Sequence, residues 1–393
     1  MKLKKIIVHH VGARDKYLIA NYFKQRGILA GFVTDYWVRP NSFLGAALKG
    51  GRRYKPALDG EVVYYYPLLL VIYTLLIKKL KKNIFDRWIA VDKIFTGFVL
   101  KKIKNKEPDL IWGYTNANFE VLEYFNHSKV IMVHNQIDPG IVYYDIKQRL
   151  WEANPDFESA PAPLLDSFRN RIIGEWDLAH VIVVNSEYSK RSIVSYGADE
   201  SKIIVLPLIY EQKKSFAKKV NYTDTLRVGF VGNINLIKGF KVFHDTALHL
   251  KDTISFHAAG SIHIRLEVVK QSHDYIEYTG HLDKEDMKNF YESIDVLMFP
   301  TYCDGFGMVQ LEAMSYGIPV LATDFCGDVV EHGYNGFKVS SAADIEQKLV
   351  LLNENRAKLG ELSVNAQHSI SKYNFENFDK KLQYEFRKKG IIM

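Results

Sequence analysis

The sequence predicts an α/β protein made of two doubly wound, parallel-sheet units. Three observations carry this. Apolar strand-like runs alternate with helical stretches twice along the chain, a polar, lysine-rich connector separates the two series, and 393 residues are enough for two cores of ordinary size. With 47% hydrophobic and 13% aromatic residues, a disordered chain is excluded.

In the first unit, assigned to residues 1–210, the opening strand is expected at 5–9. A loop at 11–14 then leads into a helix running through Phe23. Further strands are expected at 31–34, 109–113, 130–134 and 181–185, each a short apolar run bounded by turn-forming residues. Residues 211–225 form the connector. The second unit, residues 226–372, opens with Arg227-Val-Gly-Phe-Val-Gly232 and continues with strands at 254–258, 276–278, 296–299 and 320–322. Residues 373–393 are expected to form a closing helix.

The densest local signal is Asp304-Gly-Phe-Gly-Met-Val-Gln-Leu-Glu312, followed by Ala-Met-Ser-Tyr-Gly317-Ile-Pro319-Val. The run 294–299 reads as a buried strand ending at Pro300, and 308–316 as a helix stopped by Gly317. The first N–H groups of such a helix, near Met308 and Val309, have no intrahelical acceptors, and the macrodipole adds partial positive charge, so the turn suits a phosphate. Asp304 and Glu312 flank it as acceptors for hydroxyl groups, an arrangement suited to a diphosphate with a sugar at each end. The bland alternative is an ordinary helix with an exposed Glu and two turn glycines.

This pattern resembles the nucleotide-sugar signature of glycosyltransferase family 4. The resemblance implies a GT-B fold, two Rossmann-like domains facing a central cleft, with the first binding the acceptor and the second the nucleoside diphosphate-sugar donor. By position, Glu312 would bind the ribose hydroxyls and Asp304 the donor sugar. The turn Gly305, Phe306, Gly307, Met308 and Val309 would supply backbone N–H groups, those of Phe306 and Gly307 to the sugar. Asp304 is also a candidate catalytic carboxylate by its chemistry, and is one methylene shorter than the Glu usual there. In Gly229-Phe-Val-Gly232-Asn233-Ile-Asn-Leu-Ile-Lys238-Gly239, Lys238 matches the diphosphate-neutralising Lys, whereas Asn233 stands where an Arg is usual. Gly260 ends one strand of the second unit; Gly280, His281 and Leu282 end the next, where the base would be contacted through backbone groups.

In the first unit the resemblance makes His134 the candidate for positioning or polarising the reacting centre; a lone His is otherwise more often structural. Gly12 would let backbone approach the donor, and Arg14 would meet the diphosphate or an acidic acceptor, although each also suits a plain turn glycine and a solvated cation. The segment from Glu175 to Lys190, with Ser186, resembles the end of the family's first domain, and the terminal helix its return to that domain. The shortened segment Thr323-Asp-Phe-Cys-Gly327-Asp328-Val-Val-Glu331 leaves the role of Asp328 open.

Charge is uneven. Residues 1–110 carry 22 Lys plus Arg against 8 Asp plus Glu, a net of +14, which leaves the other 283 residues at −7. Within them, residues 62–77 are 16 uncharged residues closed by Lys78, Lys79, Lys81 and Lys82; as a helix they span roughly 24 Å, short of a bilayer core of about 30 Å. The stretch Trp88, Val91, Ile94, Phe95, Phe98, Val99 and Ile103 has helical spacing with lysines among and after it. Two readings stay open for it: a basic amphipathic helix on an anionic membrane, or a core helix with a solvated lysine face. No nucleic-acid-binding module is recognisable.

The two cysteines, Cys303 and Cys326, make no metal-ligand cluster with histidines, no Asp-x-Asp triplet is present, and no secretory leader is legible in the first residues. The expectation is a cytoplasmic, metal-independent enzyme without cofactor, peripheral on the membrane if the basic surface binds lipid. It would transfer a sugar from a nucleoside diphosphate-sugar to a saccharide or lipid-linked saccharide acceptor with retention of configuration, in cell-envelope or surface polysaccharide assembly. A sugar-nucleotide epimerase of the same architecture and a non-catalytic, membrane-associated nucleotide-sugar-binding protein are the alternatives.

Overall fold

The computed structural model describes residues 3–39, 53–61, 63–80, 83–210 and 225–393. The expected connector, apart from Thr225, lies outside the described residues, as do Lys81 and Lys82.

The first sheet has seven strands: β1 (Ile6–His10), β2 (Leu29–Thr34), β3 (Val63–Tyr64), β4 (Leu110–Tyr114), β5 (Ile131–Gln136), β6 (Val181–Val184) and β7 (Ile203–Val205), in the order β3-β2-β1-β4-β5-β6-β7. The second has six: β8 (Leu226–Val231), β9 (Ile254–Ala259), β10 (Glu277–Gly280), β11 (Val296–Phe299), β12 (Val320–Ala322) and β13 (Gly336–Lys338), in the order β10-β9-β8-β11-β12-β13. Every pairing is parallel, as runs such as VIVV at β6, buried on both faces, require. The strand order reverses between β1 and β4 in one sheet and between β8 and β11 in the other. Crevices for ligands open beyond the carboxyl ends of strands at such switch points. The loops after β1, β8 and β11 carry Gly12, Lys238 and Asp304, and the last two meet.

Three short strands, β3, β7 and β13, were not among those expected; at two or three residues each they are too brief to show a period. The helix Ile84–Ile103 settles the choice left open for the lysine-rich stretch. Asn83 caps it by accepting the Phe85 N–H at 2.8 Å, and Phe85, Phe95, Phe98, Val99 and Ile103 are buried in the first unit's core. That apolar stripe is a core face, and the membrane-binding reading of this helix is corrected accordingly.

Two further pieces hold the units together. The helix Phe375–Lys388 returns to the first unit, where Phe378, Leu382 and Phe386 join its core and Asp379 meets Tyr22 and Arg26. After the helix Val142–Ala153, the chain of the first unit reaches into the second: Phe157 sits in the core around β8 and β9, and its carbonyl accepts the Arg265 N–H at 2.9 Å. Burying a Phe side chain stabilises by about 2–3 kcal/mol. Glu158, also buried, forms a bridge with Ile264 and accepts the Leu236 N–H at 2.8 Å, inside the turn that follows β8.

Candidate active site

Strand β11 ends at Phe299, and the chain turns through residues 300–307 into the helix Met308–Ser315, which stops before Gly317 as expected. Both glycines of the turn are required. Gly307 has φ 78°, and a Cβ there would lie 2.5 Å from the Phe299 ring. Gly305 is needed for approach: its Cβ would come 2.4 Å from the Ile137 carbonyl of the first unit. Ser186 Oγ and Ser189 Oγ donate to the Gly305 carbonyl at 2.5 and 3.2 Å. The signature turn is thus one of the places where the two units touch.

The polar groups of the turn are arranged differently from expectation. Asp304 Oδ1 accepts the N–H groups of Phe306 (3.2 Å) and Gly307 (3.0 Å), so these donors are held by the carboxylate instead of pointing at a sugar. Asp304 Oδ2 takes the Lys238 ammonium at 2.5 Å. Two groups assigned to different parts of a donor are therefore paired with each other, each side chain about one-fifth exposed. The first-turn N–H groups of Met308 and Val309 have no intrahelical acceptor and keep the phosphate-ready character that the helix start confers.

Lys238 is placed by the turn after β8. Gly239 (φ 77°) passes so close to the Pro300 carbonyl that a Cβ would lie 1.9 Å away, and Asn235 Oδ1 accepts the Lys238 N–H at 3.1 Å. Asn233 is exposed on the same turn. Gly260 has a packing role: with φ 149° it leaves 1.7 Å between a Cβ and the Gly232 carbonyl, and its N–H donates to the Gly280 carbonyl at 2.8 Å. Beyond β10, His281 is exposed and Leu282 packs against the core beside the signature helix.

Glu312 faces a cavity of about 720 Å³ bounded by both units, with Met308, Tyr291 and Tyr316 on one side and Asp15 on the other. Its Oε2 accepts the Tyr291 hydroxyl at 3.1 Å. Burial, and then the Glu312 charge, push the Tyr291 phenol well above its ordinary range, so it serves as a donor. The Asp15 carboxylate takes the Tyr114 hydroxyl at 2.7 Å, and burial raises its pKa. Asp15, Lys16 and Tyr17 all have positive φ (47°, 51° and 64°), a left-handed run that costs about 1–3 kcal/mol per residue and turns Asp15 to the cleft. Gly12 (φ 82°) donates its N–H to Asp35 at 3.0 Å, and Arg14 is exposed. Asp15 and Tyr291 escaped the sequence reading; Asp15 lies next to the singled-out Arg14, but nothing local marks Tyr291.

His134 does not face the cleft. Its ring is fully buried, with Nε2 donating to Gln136 Oε1 at 3.1 Å; the same oxygen accepts the Trp176 indole N–H at 2.8 Å. Glu175, pushed up to about 7 by burial, lies 3.9 Å from Nε2. Gln136 Nε2 in turn donates to Asp138 at 2.7 Å, beside Gly305. His134 was expected near the reacting centre; its ring is linked to the seam only through Gln136 and Asp138.

Burial lowers the His134 pKa from 6.5 to about 4. The neutral ring's contribution to stability is therefore full above pH 6.5 and lost as pH falls from 6.5 to 4, where the unfolded chain takes the proton first. The His134 imidazole resonance is expected not to titrate between pH 7 and 5 in an NMR series on labelled protein. A midpoint near 6.5 would show that water reaches the ring.

Cys303 and Cys326 are buried free thiols; burial pushes Cys303 up to about 12 and Cys326 higher, which makes both poor nucleophiles. Among the described residues, no group of three His, Cys, Asp or Glu side chains could hold a metal ion.

Residues 225–355 match the family described as "Glycosyl transferases group 1". The chain is similar to the N,N'-diacetylbacillosaminyl-diphospho-undecaprenol alpha-1,3-N-acetylgalactosaminyltransferase of Campylobacter jejuni, 24% identical over 218 residues that cover 50% of this chain and 57% of that protein. It is also similar to the capsular polysaccharide biosynthesis glycosyltransferase CapM of Staphylococcus aureus, 25% identical over 186 residues, 40% of this chain and 47% of that protein. The chain spans about half the length of the first curated relatives it matches. Among solved structures, Anabaena Alr3699/HepE in complex with UDP and glucose superposes with a TM-score of 0.61 at 15% identity, covering 98% of this chain and 100% of that one. The fold is GT-B.

Proposed function

We propose that the protein is a glycosyltransferase that moves a sugar from a nucleoside diphosphate-sugar to a hydroxyl of a saccharide or lipid-linked saccharide, retaining anomeric configuration, in polysaccharide or cell-envelope assembly. The observation that carries this reading is the convergence, at the switch point of the second sheet, of the Lys238–Asp304 pair, the helix start at Met308, and Glu312 beside a cavity bounded by both units. The names of the similar proteins from Campylobacter jejuni and Staphylococcus aureus support the class of product.

In this mechanism the donor diphosphate lies against the Met308 and Val309 N–H groups and draws the Lys238 ammonium from Asp304. A cation shared between carboxylate and phosphate follows the stronger charge, and a charge-assisted hydrogen bond is about twice as strong as a neutral one. Asp304, released from Lys238, then accepts a hydroxyl of the donor sugar. Glu312 accepts from the ribose hydroxyls. The acceptor oxygen attacks the anomeric carbon from the face that the diphosphate leaves: the bond to the phosphate oxygen breaks, the bond to the acceptor oxygen forms, and the acceptor proton passes to the departing diphosphate. Lys238 and the helix start carry the developing negative charge, so the reaction proceeds without a divalent metal. The seam at Gly305 excludes water and favours transfer over hydrolysis.

A thermal-shift panel of UDP, GDP, ADP and CDP tests the donor site. UDP comes first, because the Anabaena structure contains it. A ligand at 100 times its Kd adds about 2.7 kcal/mol to the folded state, so the matching nucleotide should raise Tm by several degrees. Its sugar conjugates then serve in a transfer assay. If none of the four moves the transition, the donor site is misassigned; a shift without turnover of any conjugate points to a binding protein.

A further inference from the structure

The helix Leu68–Leu80 is apolar on both sides. Leu70, Val71 and the buried Thr74 turn toward the first unit's core, as a surface helix should. The outward side, however, carries Ile72, Tyr73, Leu75, Leu76 and Leu80, each between 45% and 74% exposed, and ends at the exposed Lys78 and Lys79. Ile84 and Trp88, each 37% exposed, continue from the same end at the start of the next helix. A helix that is apolar all round is normally buried all round, and exposed apolar surface of this extent marks an interaction site.

We propose that this face lies in the interface of an anionic lipid bilayer. At 13 residues the helix is about 20 Å long, too short to cross a hydrocarbon core of about 30 Å, so it would lie in the membrane plane. Among the described residues, no helix is long and apolar enough to span a membrane. Charge selects the occupant. The helix ends in two lysines within a 110-residue stretch of net charge +14, so a second copy would bring like charges together, whereas anionic headgroups attract each of them. The lipid face is therefore centred not on the lysine-rich helix Ile84–Ile103, which adds only Ile84 and Trp88 at its start and has the rest of its apolar stripe turned to the core, but on the helix that precedes it.

This inference is independent of the reaction proposed above, because vesicle binding is measured without donor or acceptor. The full chain should co-sediment with phosphatidylglycerol–phosphatidylethanolamine vesicles and far less with pure phosphatidylcholine vesicles. Ile72→Glu/Leu76→Glu should lower the partition coefficient by at least about tenfold, and Lys78→Glu/Lys79→Glu should remove the preference for anionic lipid. All these positions are exposed, so circular dichroism and Tm should match the parent protein. Parent protein that stays in the supernatant, an apolar-face variant that binds undiminished, or dimerisation in sedimentation velocity that the apolar-face variant abolishes would each overturn the proposal.

Discussion

Glu312→Ala is expected to lower kcat/KM for sugar transfer by about 10²–10⁴-fold, since in the proposed mechanism it removes a charged acceptor from two ribose hydroxyls at about 1.5–3 kcal/mol each. The structure adds a second consequence. The Tyr291 hydroxyl donates to Glu312 at 3.1 Å, and without that acceptor a buried donor is left unsatisfied, which costs about 1–3 kcal/mol of stability. Loss of activity alone would therefore not separate the two roles. Tyr291→Phe does: it removes the internal bond and leaves the carboxylate available to the donor. Transfer should stay within a few-fold of the parent in Tyr291→Phe, with nucleotide affinity retained. If it falls as far as in Glu312→Ala, Glu312 serves the packing of the Tyr291 ring and not the ribose.

Gly305→Ala is expected to lower the rate of transfer by roughly 10²-fold. The added carbon would sit 2.4 Å from the Ile137 carbonyl and 3.1 Å from the Asn185 amide, and the nearer obstacle is backbone that cannot rotate away. Overpacking of this kind costs about 1–3 kcal/mol. The seam must open, weakening the contacts of Ser186 and Ser189 with the Gly305 carbonyl, and a displacement of about 1 Å between the groups of the two units is enough to cost roughly 10²-fold in rate. Nucleotide binding should survive, because Met308 and Glu312 ride on one helix of the second unit. Steady-state transfer together with nucleotide thermal shifts makes the distinction. Normal turnover in Gly305→Ala would mean that the contact between the units is not part of the working state.

What could be read from the residues follows from the range of the interactions. The signature helix and the strands flanking it are local: a buried apolar run, Pro300, and Gly317 after the last turn define them without reference to the rest of the chain. The position of Lys238 relative to Asp304 is not local. Sixty-six residues separate them, and only the adjacency of β8 and β11 brings ammonium and carboxylate together. Asp304 also shows why a motif underdetermines its geometry. An Asp followed by Gly-Phe-Gly can offer its carboxylate to a ligand or to the N–H groups two and three residues on, and here it does the second. For His134 the difficulty is different. Both faces of a parallel sheet are covered, so alternation along β5 could not say whether the ring meets the cleft or the core. The same ambiguity hid the outward face of Leu68–Leu80, since a helix apolar on both sides carries no stripe from which to choose.

The segment that carries Phe157 and Glu158 makes the chain less modular than its two sheets suggest. A fragment beginning at β8 would contain every strand of the second sheet and all of the signature, yet it would lack one of its own core side chains and the acceptor for the Leu236 N–H. In chain order Phe157 precedes β8 and β9, the strands whose core it joins. Recombining the halves of two relatives would thus break a core and not a linker, because Phe157 and Glu158 pack and bond with residues around β8 and β9. The second unit is in this sense tethered to a few residues of the first.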